Sequence, residues 1–259
     1  MEYDEPAWRD RFRLDGKVAV VTGASSGLGV AIAQGMAAAG ADVAIGARRI
    51  EMLDETRARV EALGRRCVAV ETDVTKVEDC DRLVRTAVDE LGRVDVLVNN
   101  AGWGGRYHPA TEDTPEHFRE VVDVNLMGSY WMAQAAGRVM EPGSAVVNLS
   151  SVMALTTAKM PATGYSAAKA GVLGMTRDLA AQWGAKGIRV NAILPGVFLT
   201  EATANYSPNY QQKIIDARVP IGRLGDPVDI ASTAVFLASD AAAYVTGVGV
   251  PVDGGVLLL

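Results

Sequence analysis

A tyrosine and a lysine four residues apart, Tyr165 and Lys169, have the types and spacing for acid–base chemistry. In a helix, these two positions lie one turn apart on the same face. A free phenol has a pKa of about 10, and a nearby ammonium stabilises its phenolate. The pair therefore predicts a tuned proton donor and acceptor. A surface tyrosine and lysine on an amphipathic helix would show the same spacing, so the interpretation depends on the elements around them.

A glycine-rich turn near the N-terminus predicts a phosphate site. Residues 17–22 form a nearly unbroken apolar run, typical of a strand buried on both faces. Residues 30–39 read as an Ala-rich helix, and the turn lies between the two. Glycines let a phosphate approach the backbone, and a helix N-terminus offers free N–H groups; the alternative is a turn needed only for its tightness. The predicted contacts are Gly23, Ser25, Ser26, Gly27, Leu28 and Gly29.

The end of the second predicted strand indicates which dinucleotide binds. An acidic residue about 20 positions after the glycines holds the ribose 2′-hydroxyl when the cofactor is NAD. Here Ala47 takes that place, followed by Arg48 and Arg49. A guanidinium can grip a 2′-phosphate in bidentate fashion, so the sequence favours NADP(H) over NAD(H). After the third strand come Asp73 and Val74, where Asp73 either receives the adenine amino group or caps the next helix.

Strands alternate with helices along the whole chain, which predicts an α/β fold with one doubly wound parallel sheet. We expect an N-terminal arm at residues 1–13, one domain at 14–259 and a substrate flap at about 197–220. Residues 118–140 are predicted to form one long helix that contains Asn125. The fourth strand runs into Asn100, Ala101 and Gly102, where the small residues leave room for a flat ring.

Composition excludes several function classes. The formal net charge is −6, so no basic face for nucleic acid or an anionic membrane is expected. No apolar run is long enough to cross a bilayer, and the acidic N-terminus lacks a signal-peptide pattern, which predicts a cytoplasmic protein. Two cysteines and two scattered histidines predict reduced thiols and no metal site: Cys67, Cys80, His108 and His117.

Six stretches in order resemble the classical short-chain dehydrogenase/reductase family. They are residues 22–29, residues 99–102, Asn125, Ser151, residues 165–169 and Pro195 with Gly196. The resemblance covers the chain from about Leu14 to Gly255. It implies a Rossmann-type sheet of seven strands, a nicotinamide cofactor, a small-molecule substrate and, usually, a homotetramer.

The resemblance also implies roles. Tyr165 would protonate the carbonyl oxygen, and Lys169 would lower its pKa and bind the nicotinamide ribose. Ser151 would polarise the carbonyl, and Asn125 would hold a water that links the lysine to solvent. Ser150 competes with Ser151, because neighbours at a strand end point to opposite faces; in the family's Ser-Ser pattern the second serine reacts.

The remaining predicted contacts follow from the same resemblance. At the nicotinamide these are Asn100, Ala101, Gly102, Pro195, Gly196, Val197 and Thr200. The substrate contacts are Ser151, Met153, Met160, Tyr165 and Phe198, with Trp103, Leu155 and Tyr206 also expected in the pocket. These residues are mostly apolar, which predicts a small, largely apolar ketone or secondary alcohol, and Arg106 or His108 could bind a polar end.

Two other functions remain open. A reductase of 3-oxoacyl groups on acyl carrier protein needs exposed arginines for its acidic partner, but the two docking positions are Trp131 and Ala181. A dinucleotide-sensing protein without chemistry would not need the four catalytic residues together. An NADP(H)-dependent oxidoreductase is therefore the preferred interpretation.

Overall fold

A single sheet of seven parallel strands forms the centre of the protein, in the order β3-β2-β1-β4-β5-β6-β7. The computed structural model describes residues 5–157, 159–198 and 207–259. The predicted site residue Thr200 and the predicted pocket residue Tyr206 lie outside the described residues. The strands are β1 (Val18–Thr22), β2 (Asp42–Ala47), β3 (Cys67–Glu71), β4 (Val96–Asn99), β5 (Ala145–Leu149), β6 (Arg189–Pro195) and β7 (Gly249–Val252).

Helices connect these strands and cover both faces of the sheet. They are α1 (Glu5–Asp10), α2 (Gly27–Ala38), α3 (Ile50–Glu61), α4 (Val77–Leu91), α5 (Pro115–Val122), α6 (Gly128–Gly137), α7 (Thr163–Trp183), α8 (Pro208–Arg218) and α9 (Pro227–Ala238). Short 3₁₀ turns lie at Val152–Ala154, Gly184–Lys186, Asp240–Ala242 and Val256–Leu258. None of the helices in the described ranges is long and apolar enough to cross a bilayer.

Alternate residues of each strand enter two separate cores, as expected for a sheet buried on both faces. On β1, Ala19 and Val21 pack with α2, α3 and α9, whereas Val18 and Val20 pack with α4, α6 and α7. The predicted seven-stranded Rossmann-type fold is therefore confirmed. The division into an arm at 1–13 and a domain at 14–259 remains a prediction.

The helix predicted over residues 118–140 is interrupted. The chain forms α5, then a π-helical turn at Asp123–Met127, then α6. The turn contains Asn125, whose side chain is fully buried and hydrogen-bonded to backbone groups outside a normal helical ladder. π-Turns inside helices are frequent at functional sites, and the sequence pattern did not reveal this one.

Candidate active site

A cleft of about 890 Å³ opens at the carboxyl ends of the strands. Here β1 lies between β2 and β4, so successive connections leave in opposite directions along the sheet. Such a switch point is where open α/β sheets bind ligands. The glycine turn after β1 forms one part of the cleft, and the segment from Ser151 to Tyr165 forms another.

Two hydroxyl groups meet in this cleft. Tyr165 lies in the first turn of α7, and Ser151 follows β5 directly. Both side chains line the cleft, and the Ser151 hydroxyl lies near enough to the phenol to influence its pKa. Burial raises the pKa of Tyr165, while the Ser151 hydroxyl partly lowers that pKa. The phenol is therefore protonated at neutral pH and placed to donate a proton.

Lys169 lies one helical turn beyond Tyr165, as the spacing predicts. Its ammonium is 5.6 Å from the centroid of the Tyr165 ring and donates to the Leu149 carbonyl oxygen at 2.7 Å. Burial lowers the pKa of Lys169 to about 8. We expected Lys169 to lower the pKa of Tyr165, but in this arrangement the pKa of Tyr165 is raised. Burial of the phenol is the larger effect, and it raises that pKa.

The two neighbouring serines have different partners. The Ser150 hydroxyl donates to the Lys169 carbonyl oxygen at 2.8 Å and so fastens β5 to α7. The Ser151 hydroxyl accepts from the Met153 amide at 3.1 Å and contacts Tyr165. This geometry supports the choice of Ser151 as the serine that faces a reacting carbonyl.

Asn125 holds the loop that follows β4. Its amide nitrogen donates to the carbonyl oxygens of Trp103 at 2.7 Å and Val121 at 2.9 Å. Its amide oxygen accepts from the Trp103 N–H at 3.2 Å. A Cβ on Gly102 would lie 2.9 Å from that oxygen and 3.4 Å from the Lys169 ammonium. The side chains of Asn125 and Lys169 thus both lie next to Gly102, so these two predicted catalytic residues are close together in the structure.

The glycine turn fits a dinucleotide. Gly23 and Gly27 have φ of +68° and +58°, the left-handed conformation that glycine adopts without strain. A Cβ on Gly23 would lie 2.8 Å from the Ala101 Cα, so the turn and the loop after β4 touch. Gly29 does not line the cleft. A Cβ there would lie 2.3 Å from the Gly23 carbonyl oxygen, so this glycine is needed for close packing of α2 against the turn rather than for phosphate contact.

Two arginines follow β2 at the edge of the same cleft. Arg49 donates to the hydroxyls of Ser26 at 3.1 Å and Ser25 at 3.3 Å. Arg48 is exposed and also lines the cleft. Asp73 accepts from the backbone and hydroxyl of Thr75 through one carboxylate oxygen, so it does stabilise a turn, and it lines the cleft as well. The donor set suits an adenosine carrying a phosphate.

Most predicted contacts are brought together around the cleft. On the cofactor side these are Gly23, Ser25, Ser26, Gly27, Leu28, Arg48, Arg49, Asp73, Val74, Asn100, Ala101, Gly102, Tyr165, Lys169, Pro195, Gly196 and Val197. On the substrate side they are Ser151, Met153, Met160, Tyr165 and Phe198, and Asn125 lines the cleft too.

Sequence reasoning missed some lining residues and placed others wrongly. Leu155 is 63% exposed and does not line the cleft, nor do Arg106 and His108. The other histidine, His117, holds the loop before α5 in place: its ring nitrogen accepts a hydrogen bond from the Arg106 N–H at 2.9 Å. The lining residues that were missed include Tyr107, Val152, Thr156, Thr157, Arg218 and Val256. They come from four separate segments, and no local motif marks them.

Metal chemistry finds no support in the described residues. Within the described ranges, no group of three or more His, Cys, Asp and Glu side chains could hold an ion. Cys67 and Cys80 are free thiols, and burial raises the pKa of each to about 12. Both thiols therefore stay protonated at neutral pH, as expected for cysteines that pack rather than react.

Comparisons with known proteins agree with this geometry. A family model described as enoyl-(acyl carrier protein) reductase matches residues 23–257. An L-rhamnose 1-dehydrogenase (NAD(P)(+)) from Sphingomonas sp. (strain SKA58) is 42% identical over 93% of this chain and 96% of that relative. A 2-dehydro-3-deoxy-D-gluconate 5-dehydrogenase from Escherichia coli (strain K12) is 39% identical, covering 94% of this chain and 96% of the relative.

A solved structure is similar across the whole fold. It is described as a short-chain alcohol dehydrogenase from Sinorhizobium meliloti 1021, with 45% identity and a TM-score of 0.90. The match covers 96% of this chain and 99% of that protein. The chain belongs to the short-chain dehydrogenase/reductase family, whose members act on CH–OH and C=O groups with NAD(P).

Proposed function

We propose that this protein is an NADP(H)-preferring oxidoreductase of a small, largely apolar ketone or secondary alcohol. The observation that carries the proposal is the pair of Ser151 and Tyr165 hydroxyls, which line one cleft together with Met153, Met160 and Phe198. The glycine turn and the two arginines after β2 would hold the cofactor, and Gly102 and Gly196 line the same cleft. A bound nicotinamide supplies or accepts the hydride.

Tyr165 acts as the acid in the reductive direction. Its raised pKa keeps the proton on the phenol at neutral pH, where it is available to a carbonyl oxygen. Ser151 donates to the same oxygen as negative charge develops on it. Lys169 stays charged below a pKa of about 8 and places a cation near the phenol, which stabilises the phenolate that forms when the proton leaves. In the oxidative direction the same phenol is the base.

The preference for NADP(H) is supported by charge. No acidic residue follows β2, where one would bind the ribose hydroxyl of NAD and repel a 2′-phosphate. Ala47 takes that position, and Arg48 and Arg49, which follow it directly, both line the cleft. A guanidinium fork matches a phosphate in geometry as well as in charge.

The chemistry of the cleft supports a largely apolar substrate. Met153, Met160, Phe198, Val152 and Val256 line it beside the catalytic hydroxyls. Tyr107, Thr156 and Thr157 also line the cleft, so a substrate with a few hydroxyl groups would find partners there. L-Rhamnose, named for one relative, carries a hydroxyl on nearly every carbon, and the apolar side chains could not pair with most of these. We therefore propose a substrate with fewer hydroxyl groups than a simple sugar.

A substrate panel tests this proposal. Oxidation of NADPH and NADH would be followed by absorbance with aliphatic and aromatic ketones, and reduction of NADP⁺ and NAD⁺ with secondary alcohols and sugars, L-rhamnose included. We expect the highest kcat/KM for an apolar ketone with NADPH. Sugars turned over faster than every apolar ketone or alcohol would overturn the substrate class, and a preference for NADH would overturn the cofactor assignment.

A carrier-protein substrate is less well supported. Trp131 and Ala181 occupy the two positions where arginine docking residues are expected, and the chain carries a net charge of −6. Turnover of an acyl-carrier substrate well above that of free ketones would reverse this order.

A homotetramer is proposed as well. Several apolar side chains are exposed in the isolated chain, including Tyr244 and, at the C-terminus, Leu258 and Leu259 at 82% and 76%. Apolar surface of this kind is often covered by another subunit. Light scattering of the purified protein gives the mass directly, and a monomeric mass at micromolar concentration would contradict the proposal.

A further inference from the structure

The cleft has an excess of positive charge in an acidic protein. Its charged lining residues in the described ranges are Arg48, Arg49, Lys169, Arg218 and a single acidic residue, Asp73. The first two lie at the proposed adenosine end, and Lys169 belongs to the catalytic group. Arg218 remains without a role in the proposed function.

Arg218 lies at the substrate end of the cleft. It is the last residue of α8, and its neighbour Val219 packs against Val152 and Val256. Val152 directly follows Ser151, so this contact brings the end of α8 beside the catalytic serine. The Arg218 side chain therefore faces the space that the body of a substrate would occupy.

The guanidinium has no anionic partner in the part of the chain that the structure describes. No carboxylate there lies within ion-pair distance of Arg218, although Arg223, five residues later, is paired with Asp229 at 2.7 Å. Arg218 is half-buried rather than fully hydrated. Among the described residues, Arg218 is thus a partly desolvated cation with no carboxylate at ion-pair distance, which favours binding of an anion at that place.

We propose that Arg218 binds a carboxylate that the substrate carries away from its reacting carbon. The substrate class is then an oxo acid, or the corresponding hydroxy acid, with an apolar chain between the two groups. The planar guanidinium of arginine donates two parallel hydrogen bonds to the two oxygens of a carboxylate. The apolar side chains of Met153, Met160 and Val256 line the same cleft and would contact the intervening chain. This inference rests on the proposed function and narrows its substrate.

A structural role for Arg218 is the alternative outcome. A cation in the last turn of a helix interacts favourably with the helix dipole, whether or not a ligand binds. In that case its loss would lower stability and affect all substrates alike. The test must therefore compare an anion with a neutral molecule of the same shape.

Calorimetry of the NADP⁺-bound protein provides that comparison without turnover. Hexanoate and hexanamide would be titrated into the wild type, Arg218→Met and Arg218→Lys. The control is Lys213→Met, which removes an exposed cation from the same helix outside the cleft. We expect Arg218→Met to weaken hexanoate about tenfold to hundredfold, the size of a lost charge-assisted hydrogen bond. The affinity of Arg218→Met for hexanamide should equal that of the wild type. Arg218→Lys should retain part of the affinity for hexanoate, and Lys213→Met should bind both compounds as the wild type does.

Kinetics with straight-chain oxo acids and their methyl esters gives the second readout. The wild type should have a higher kcat/KM for the oxo acid than for its methyl ester. Arg218→Met should remove this difference by lowering kcat/KM for the acid, while kcat/KM for the ester stays the same. An equal ratio of acid to amide affinity, or of acid to ester kcat/KM, in wild type and Arg218→Met would overturn the inference. If the wild type turned over neither the oxo acids nor their methyl esters, the proposed function would be refuted. The hexanoate titrations would then still decide whether Arg218 binds a carboxylate.

Discussion

Removal of either arginine after β2 should change cofactor choice rather than cofactor binding in general. Arg48 is exposed at the strand end, and Arg49 is held over the glycine turn by the hydroxyls of Ser25 and Ser26. A hydrogen bond to a charged group contributes about 1.5–3 kcal/mol, and exposed groups fall at the lower end. About 1.4 kcal/mol corresponds to tenfold, so each alanine substitution should raise the Kd for NADPH about tenfold.

Titration of NADPH and NADH fluorescence with the purified variants measures both affinities. NADH lacks the 2′-phosphate, so its Kd should change by less than about twofold in Arg48→Ala and Arg49→Ala. Arg57→Ala is the matched control, because Arg57 is an exposed arginine on α3 that pairs with Asp54 and lies outside the cleft. Equal losses for NADPH and NADH in the two variants would refute the assignment of these arginines to a 2′-phosphate.

Two further predictions concern the glycine turn and the buried lysine. A Cβ on Gly29 would lie 2.3 Å from the Gly23 carbonyl oxygen, so Gly29→Ala should lose about 1–3 kcal/mol in urea unfolding and weaken NADPH binding. Gly184→Ala, with open space around its Cβ, should change stability by less than about 0.5 kcal/mol; similar losses in both would contradict the packing argument. Burial lowers the pKa of Lys169 from 10.5 to about 8, so the unfolded chain binds more protons between these values and stability should rise with pH there. In Lys169→Met the free energy of unfolding should not rise with pH over this range. A rise as large as that of the wild type would show that groups other than Lys169 cause it.

The order of strands and helices could be predicted from the sequence because the strands centre on short apolar runs and glycines or turn residues mark several helix ends. The strand β1 (Val18–Thr22) falls within the predicted apolar run of residues 17–22, and α2 (Gly27–Ala38) covers most of the helix predicted over residues 30–39. The π-turn around Asn125 could not be predicted, since its hydrogen bonds go to Trp103 in a loop distant in sequence. Tertiary contacts, not local propensity, decide that conformation.

The candidate site was predictable where one short motif carries it. Tyr165, Lys169 and the glycine turn fall in such motifs and lie together in the cleft. Arg218 and Val256 escaped notice because they lie far along the chain from the motifs. Val256 and Val219, the neighbour of Arg218, pack against Val152, which lines the cleft. The direction of the Tyr165 pKa shift was also missed, because burial cannot be read from the four-residue spacing.

The central claim is that the Tyr165 hydroxyl exchanges a proton with the substrate oxygen. The most direct test is single-turnover hydride transfer by Tyr165→Phe, with NADPH affinity measured on the same preparation. We expect the hydride-transfer rate of Tyr165→Phe to be lower than that of the wild type by about 100-fold to 10,000-fold, with a Kd for NADPH within about twofold of the wild-type value. A variant that transfers hydride within about tenfold of the wild-type rate would contradict it.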